Sequence, residues 1–487
     1  MFAFDQPVVP FPRLFGLGPL HDGLWSRPRS DSFDPAGYRK VAKDGRGVGN
    51  GNELSKPATL RDAATAIVRS IVGTGVLFLP HGVASAGLCG ALAMYAVTFT
   101  LVVVGSERLI TSWQWFVETE GRQISYPDLA ALLLGSYARA CIQWSIVFLQ
   151  LGCCVCYYIF VSENLHQVIK DVNGARVSSN LLMAAMMMFE IPMCLLRDLK
   201  VFTPFNSIAN GLVAGSLLVI IWCSFARIGT KGVHEGVVPV VPETALMFLG
   251  TCIFTFEGAA VAIPIGNSLA PSDRVHYLGI YVKVVLGIAI LYAFYSLLAY
   301  LAYGPDVEVI VTLSLGDSLF PASTIQFIYC IAVLFTFPLQ LFPASLELDA
   351  LLNSDAGSID TRNSDAKGMI ASENSKAASY CSLSGDAMRV ILVTLTCAMA
   401  IFGRSSLDRI VALLGSLCCA PLAFAVPALM HSSMLRLKAK AVYESAIKTD
   451  LEAKPPSLLY ISAADALILV LGLVFTILST ANVFATR

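Results

Sequence analysis

Long apolar runs alternate with short polar stretches along most of this chain, and the runs have the length of membrane helices. A helix that crosses a bilayer needs about 20 mostly apolar residues. Scanning with a window of about 19 residues picks out eleven runs: 60–84, 88–112, 138–163, 179–196, 203–227, 244–265, 277–303, 322–347, 386–403, 407–431 and 458–484. The run at 179–196 is the least regular, because Glu190 sits in its middle. Two stretches leave the pattern altogether. Residues 1–57 are polar, contain Pro and Gly and carry no helical period, which predicts a disordered tail. Residues 349–385 are rich in Ser, Asp, Asn and Ala and predict a disordered loop within a single transmembrane domain over 58–484.

Composition strengthens this reading. Of 487 residues, 56% are hydrophobic and 14% charged, and the mean hydropathy is +0.69. Lipid offers no partner for a backbone N–H or C=O, so such a chain spans as helices that satisfy their own. The predicted class is all-α integral membrane, with about eleven transmembrane helices. Arg39, Lys40, Lys43, Arg46, Lys56 and Arg61 crowd the tail, and Arg436, Lys438, Lys440, Lys448 and Lys454 precede the last run. Basic residues mark cytosolic segments, so the N-terminus is predicted cytosolic and the C-terminus on the opposite side. The net charge of −1 and the absence of a basic stripe argue against a nucleic-acid partner.

The 13 cysteines fall mostly inside apolar runs. Cys153, Cys154 and Cys156 lie mid-run beside Tyr157 and Tyr158, not at the loop-like spacing of zinc ligands. They read as small residues in a packed helix, so no metal and no disulfide framework is expected. No HExxH, nucleophile–His–acid set or nucleotide-binding motif occurs, so neither an enzyme nor a cofactor is expected.

Two runs contain what a plain anchor avoids. In the first, Gly73 and Gly75 flank Thr74 at mid-membrane depth, with Pro80 beyond. In the sixth, Glu257 and Gly258 interrupt the run, with Pro264 beyond. Gly and Pro weaken the helical ladder, and freed backbone groups at that depth are tolerated only where they line a cavity. Breaks five spans apart point to an inverted-repeat transporter whose half-helix ends face the substrate. Amides near Gly73, Thr74 and Gly75 suit the carboxylate of an amino acid, and freed carbonyls and Glu257 at the sixth-run break suit its ammonium. Small residues that serve only helix packing are the competing reading.

The stretches SIVGTGVLFLPHGVASAG (70–87), LQLGCCVCYYIFVSENLHQVI (149–169), LRDLKVFTPFNSIAN (196–210), FTFEGAAVAIPIGNSL (254–269) and IVALLGSLCCAPLAFAVPALMH (410–431) occur in this order. In them the chain resembles the amino acid/auxin permease family, and within it the proton-coupled and vacuolar amino acid transporter branch. The resemblance implies a LeuT-like arrangement: eleven helices, an inverted 5+5 repeat with broken first and sixth helices, a central substrate site, and coupling to protons or sodium. Two positions depart from the family pattern. Ala66 stands where many proton-coupled members carry His, and Arg69 where sodium-coupled members carry Asn. The segments 164–178 and 228–243 also lack the family's frequent luminal cysteine pair.

Charges at bilayer depth need a partner or a function. Glu257 is the foremost proton-coupling candidate; the competing readings are a fixed cap on freed amides or a permanent pair with Arg69, one turn before Gly73. His81 is a second candidate, or an interfacial histidine. Glu190 and Lys283 are expected to snorkel or pair locally. Tyr157, Tyr158, Phe254 and Phe256 are candidates for the pocket's apolar wall, and Gly258 for its backbone. The expected function is proton-coupled symport of small neutral amino acids by alternating access, in a plasma, vacuolar or lysosomal membrane. The alternative is an amino-acid sensor that signals through its tail and loop.

Overall fold

The computed structural model describes residues 57–196, 203–315, 322–353, 383–448 and 462–485, and its first apolar run is two helices. α1 (Leu60–Ile71) begins on a capping box. Thr59 N donates to Asp62 Oδ2 at 2.9 Å, and Asp62 N donates to Thr59 Oγ1 at 3.3 Å, which satisfies two amides left over at a helix start. Ala63, Ile67 and Ile71 recur every fourth position and form the buried stripe. The helix stops there because Gly73 is extended, at φ −124° and ψ −163°. A 3-10 turn over Thr74–Phe78 leads into α2 (Leu79–Ala86), with Pro80 in its first turn, where a missing N–H costs little. The two arms are bent by 45°.

The chain then forms α3 (Leu88–Glu120), the short α4 (Tyr126–Leu134), α5 (Ser136–Asn173), α6 (Ser179–Cys194) and α7 (Thr203–Lys231). The sixth run also splits, into α8 (Ala245–Thr255) and α9 (Ala259–Ser268), around Phe256, Glu257 and Gly258. α10 (Tyr277–Tyr303), α11 (Ala322–Asn353), α12 (Leu383–Gly403), α13 (Leu407–Leu413), α14 (Val426–Lys448) and α15 (Ala463–Ala485) complete the bundle. Between α13 and α14 the backbone widens into π-helical turns at Leu414–Cys419 and Pro421–Ala425. One isolated bridge, Ala58 to Leu269, is the β-structure seen among the described residues.

Among those residues, eight helices are long and apolar enough to cross a membrane, and the bent α1–α2 pair makes nine. One of the eight is a 57-residue stretch, Gly385–Ala441. At about 1.5 Å per residue it is over twice the roughly 30 Å of a hydrocarbon core. The 3-10 turn Arg404–Ser406 divides it into the predicted ninth and tenth runs. α6 has 16 residues and reaches only about 24 Å, so the run with the weakest pattern is also the short one. The predicted loop is helical at both ends, since α11 continues to Asn353 and α12 starts at Leu383. Its middle, 354–382, and the tail over 1–56 lie outside the described residues.

Close approach fixes α8 against the π turns. A Cβ on Gly415 would lie 1.8 Å from the Gly250 carbonyl oxygen, so only glycine permits this contact. α5 packs along α11. Between these two packings the breaks face one space.

Candidate functional site

Both breaks leave backbone groups that the helices do not use. At the first, the Ile71 carbonyl accepts from Gly73 N and from the Tyr292 hydroxyl, each at 3.0 Å. Gly73 has thus spent its amide, and Thr74 and Gly75 head the 3-10 turn, where amides lack partners within the helix. At the second, Glu257 N donates to Phe254 O at 3.3 Å, and Glu257 Oε1 accepts from Ala260 N at 3.1 Å. That carboxylate oxygen caps α9, while Oε2 is buried without a partner among the described residues. One acid therefore both closes a helix end and leaves an acceptor free.

These groups border one cavity of about 440 Å³, within the usual range of roughly 300–1,000 Å³ for small-molecule sites. It brings together Arg69, Gly73, Thr74, Gly75, Tyr157, Phe254, Glu257 and Gly258. The Phe254 ring covers the first break, its Cε1 lying 3.2 Å from where a Gly75 Cβ would stand. A Cβ at Gly73 would meet nothing within 4 Å, so that position opens onto the cavity.

Three predicted residues lie elsewhere. Phe256 is 1% exposed and does not line the cavity; it packs edge-on to Tyr95 at 6.4 Å and tilted to Tyr292 at 5.4 Å. Phe256 belongs to the break and not to α8, and its ring turns into that packing, so Phe254 and Phe256 do not share a wall. His81 sits in α2 outside the cavity lining, its Nδ1 2.9 Å from the Val307 carbonyl oxygen. Tyr158 is buried away from the cavity while its neighbour Tyr157 lines it.

Arg69 and Glu257 do not pair. The Arg69 side chain is exposed at the cavity edge, and Glu257 turns to the α9 amides instead. Glu190 neither snorkels nor pairs locally: it is 0% exposed and neither of its oxygens has a partner among the described residues. Although it lies one turn from the end of α6, its carboxyl points into the packing against α5 and α12 and does not reach out to solvent.

The cavity has a polar wall that the motif reading missed. Gln150, Cys153, Asn210, Thr336 and Gln340 line it, and Gln340 Nε2 donates to Gln150 Oε1. The signal was present as a spacing of seven along α5. Gln143 donates to Glu347 at 2.9 Å, Gln150 meets Gln340, Tyr157 faces Thr74 and Thr336, and Asn164 accepts from Thr312 at 2.6 Å. Polar residues at 143, 150, 157 and 164 form one seam along a helix that otherwise reads as apolar.

Comparison with known proteins decides the family. The model of the family described as transmembrane amino acid transporter protein matches residues 56–480. The chain belongs to that family. It is 28% identical over 382 residues to vacuolar amino acid transporter 4 of Saccharomyces cerevisiae, covering 75% of this chain and 51% of that protein. It is 25% identical to amino acid transporter ANT1 of Arabidopsis thaliana, over 85% of this chain and 90% of that one. The chain spans about half the length of the yeast vacuolar relatives it matches. Among solved structures, the inward-facing conformation of Mhp1 superposes with a TM-score of 0.53 at 13% identity, over 90% of this chain and 94% of that one. The fold of this family member is LeuT-like: a multi-pass helical bundle with its first and sixth spans broken beside a central cavity.

Proposed function

We propose that this chain carries small neutral amino acids across its membrane together with protons, by alternating access. The observation that carries the proposal is the pairing of two helix breaks across one cavity, with amides open at one and a free carboxylate oxygen at the other. The Thr74 and Gly75 amides, at a helix start, receive the substrate carboxylate. Glu257 Oε2 receives the ammonium. The substrate side chain extends toward Tyr157, Thr336, Gln150 and Gln340, a wall that is polar but uncharged, which favours neutral substrates.

Glu257 is the coupling group in this scheme. Its Oε2 lacks a hydrogen-bond partner among the described residues, so the carboxyl takes up a proton on the side from which substrate enters, crosses protonated with the substrate bound, and releases both on the far side. The remaining lining runs to Ala209 and Asn210 in the first half of α7 and to Gln340 and Pro343 in the second half of α11. That describes a route toward one end of the bundle. At the other end His81 bonds to Val307 and α2 packs on the turn over Gly304–Asp306, and the cavity lining does not extend to these residues. With the basic tail cytosolic, the open end is the cytosolic one.

The test is uptake of a panel of labelled amino acids into proteoliposomes under an imposed pH gradient. Accumulation of small neutral amino acids that collapses with the gradient supports the proposal. Saturable binding without accumulation overturns it and favours a sensor.

A further inference from the structure

A second buried carboxyl stands outside the cavity. Glu190 of α6 is 0% exposed, and neither Oε1 nor Oε2 has a hydrogen-bond partner among the described residues. The Tyr158 hydroxyl of α5 is equally buried and also unpartnered. The two groups share their surroundings with the thiols of Cys154 and Cys194. α12 faces them with Cys397, whose Sγ donates to Met183 O at 3.6 Å, and with Arg389, which is 2% exposed. Arg389 Nη1 lies 3.4 Å from Asp386 Oδ1 and 3.5 Å from Cys194 O. From α11 the nearby contact is apolar, Phe335 edge-on to Phe189.

A buried carboxylate with no donor beside it among the described residues is costly, whereas the uncharged acid fits. Arg389 is already at the Cys194 carbonyl, and Cys194 is one helical turn from Glu190. The site thus holds, one turn of α6 away, the counter-charge that an ionised Glu190 would take. It also adjoins the transport path: Phe337 packs on Tyr158 at 5.2 Å and on Tyr157 at 6.5 Å, and Tyr157 lines the cavity.

We infer that Glu190 is a second proton-exchange site, uncharged in the conformation seen here and ionised when it meets Arg389. In that step the Glu190 O–H bond breaks, the proton passes to water admitted beside Arg389, and the electron pair stays on the carboxylate. The inference rests on the transport reading for its role, and its chemistry is tested separately from it.

The experiment uses the full chain in proteoliposomes, with two readouts on wild type, Glu190→Gln, Glu257→Gln and Tyr158→Phe. The first is the infrared carbonyl stretch of protonated carboxyl groups, followed through a pH titration. A band that titrates in wild type and in Glu257→Gln, and is missing in Glu190→Gln, is the expected result. An unchanged band in Glu190→Gln overturns the inference. The second is pH-gradient-driven accumulation of labelled alanine, which falls about tenfold or more in Glu190→Gln and equals wild type if the inference fails. Tyr158→Phe leaves the carboxyl in place, so its shifted pH profile decides the matter should Glu190→Gln not fold. If wild type accumulates no alanine, the transport reading fails, and the infrared arm alone still decides whether Glu190 exchanges a proton.

Discussion

The hydroxyl of Tyr292 donates to the carbonyl oxygen of Ile71 at 3.0 Å, a contact between a side chain in α10 and the last turn of α1. It answers the question that a broken helix poses, namely where its freed carbonyl goes. Tyr292→Phe removes this donor and leaves Ile71 with Gly73 N alone. The expected cost is about 1–2 kcal/mol, read as a lowered thermal midpoint, together with weaker substrate binding at the adjoining amides.

The two glycines with opposite surroundings separate site from scaffold. Gly73→Ala puts a methyl into open cavity and is expected to leave stability unchanged while raising KM severalfold. Gly415→Ala puts one 1.8 Å from a backbone oxygen of α8 that cannot give way. Its expected cost is about 3 kcal/mol or more, comparable to severe overpacking, and is measured as loss of monodisperse protein on size exclusion.

Glu257→Gln preserves an oxygen that can accept from Ala260 N and removes the titrating group. Wild-type uptake is expected to rise as the pH falls on the side from which substrate enters, because the acid must be loaded with a proton there. The variant is expected to show a flat pH profile and no accumulation above the substrate's own gradient. Uptake measured across a pH series checks both.

Gln150→Leu makes the polar wall partly apolar. Selectivity is expected to move toward branched aliphatic amino acids over hydroxyl- and amide-bearing ones by about tenfold, or roughly 1.4 kcal/mol. Competition assays between paired substrates read this directly.

Asp465 is 1% exposed and gathers Arg108 Nε at 2.9 Å, His431 Nδ1 at 2.9 Å and Ser432 Oγ at 2.8 Å, joining α3, α14 and α15. Asp465→Ala leaves a largely buried Arg108 without its counter-charge. The expected cost is about 3–5 kcal/mol, seen as lost expression that cavity-facing variants do not share.

How far the chain could be read in advance depends on how local each feature is. The eleven apolar runs, the interruptions at Gly73–Gly75 and Glu257–Gly258, and the irregular stretch around Glu190 were legible, because bilayer length and helix breaking are properties of short segments. The cavity's membership was legible only in part. Gly73, Thr74, Gly75, Tyr157, Phe254, Glu257 and Gly258 lie together, yet Phe256 packs into the Tyr95–Tyr292 contact instead. Arg69, placed by sequence within a turn of the break, turns outward while Glu257 caps α9.

What the sequence determined by itself was a helical membrane bundle with two broken spans, since lipid forbids unpaired backbone and the glycines announce where the ladder fails. What only the tertiary structure decided was the facing of each side chain: Gln150 against Gln340, Tyr292 on Ile71, Glu190 with nothing. The rotation of a helix about its axis is set by partners far away in the chain, such as the Gly250–Gly415 approach. Apolar periodicity is too weak to report it when lipid and core want the same residues.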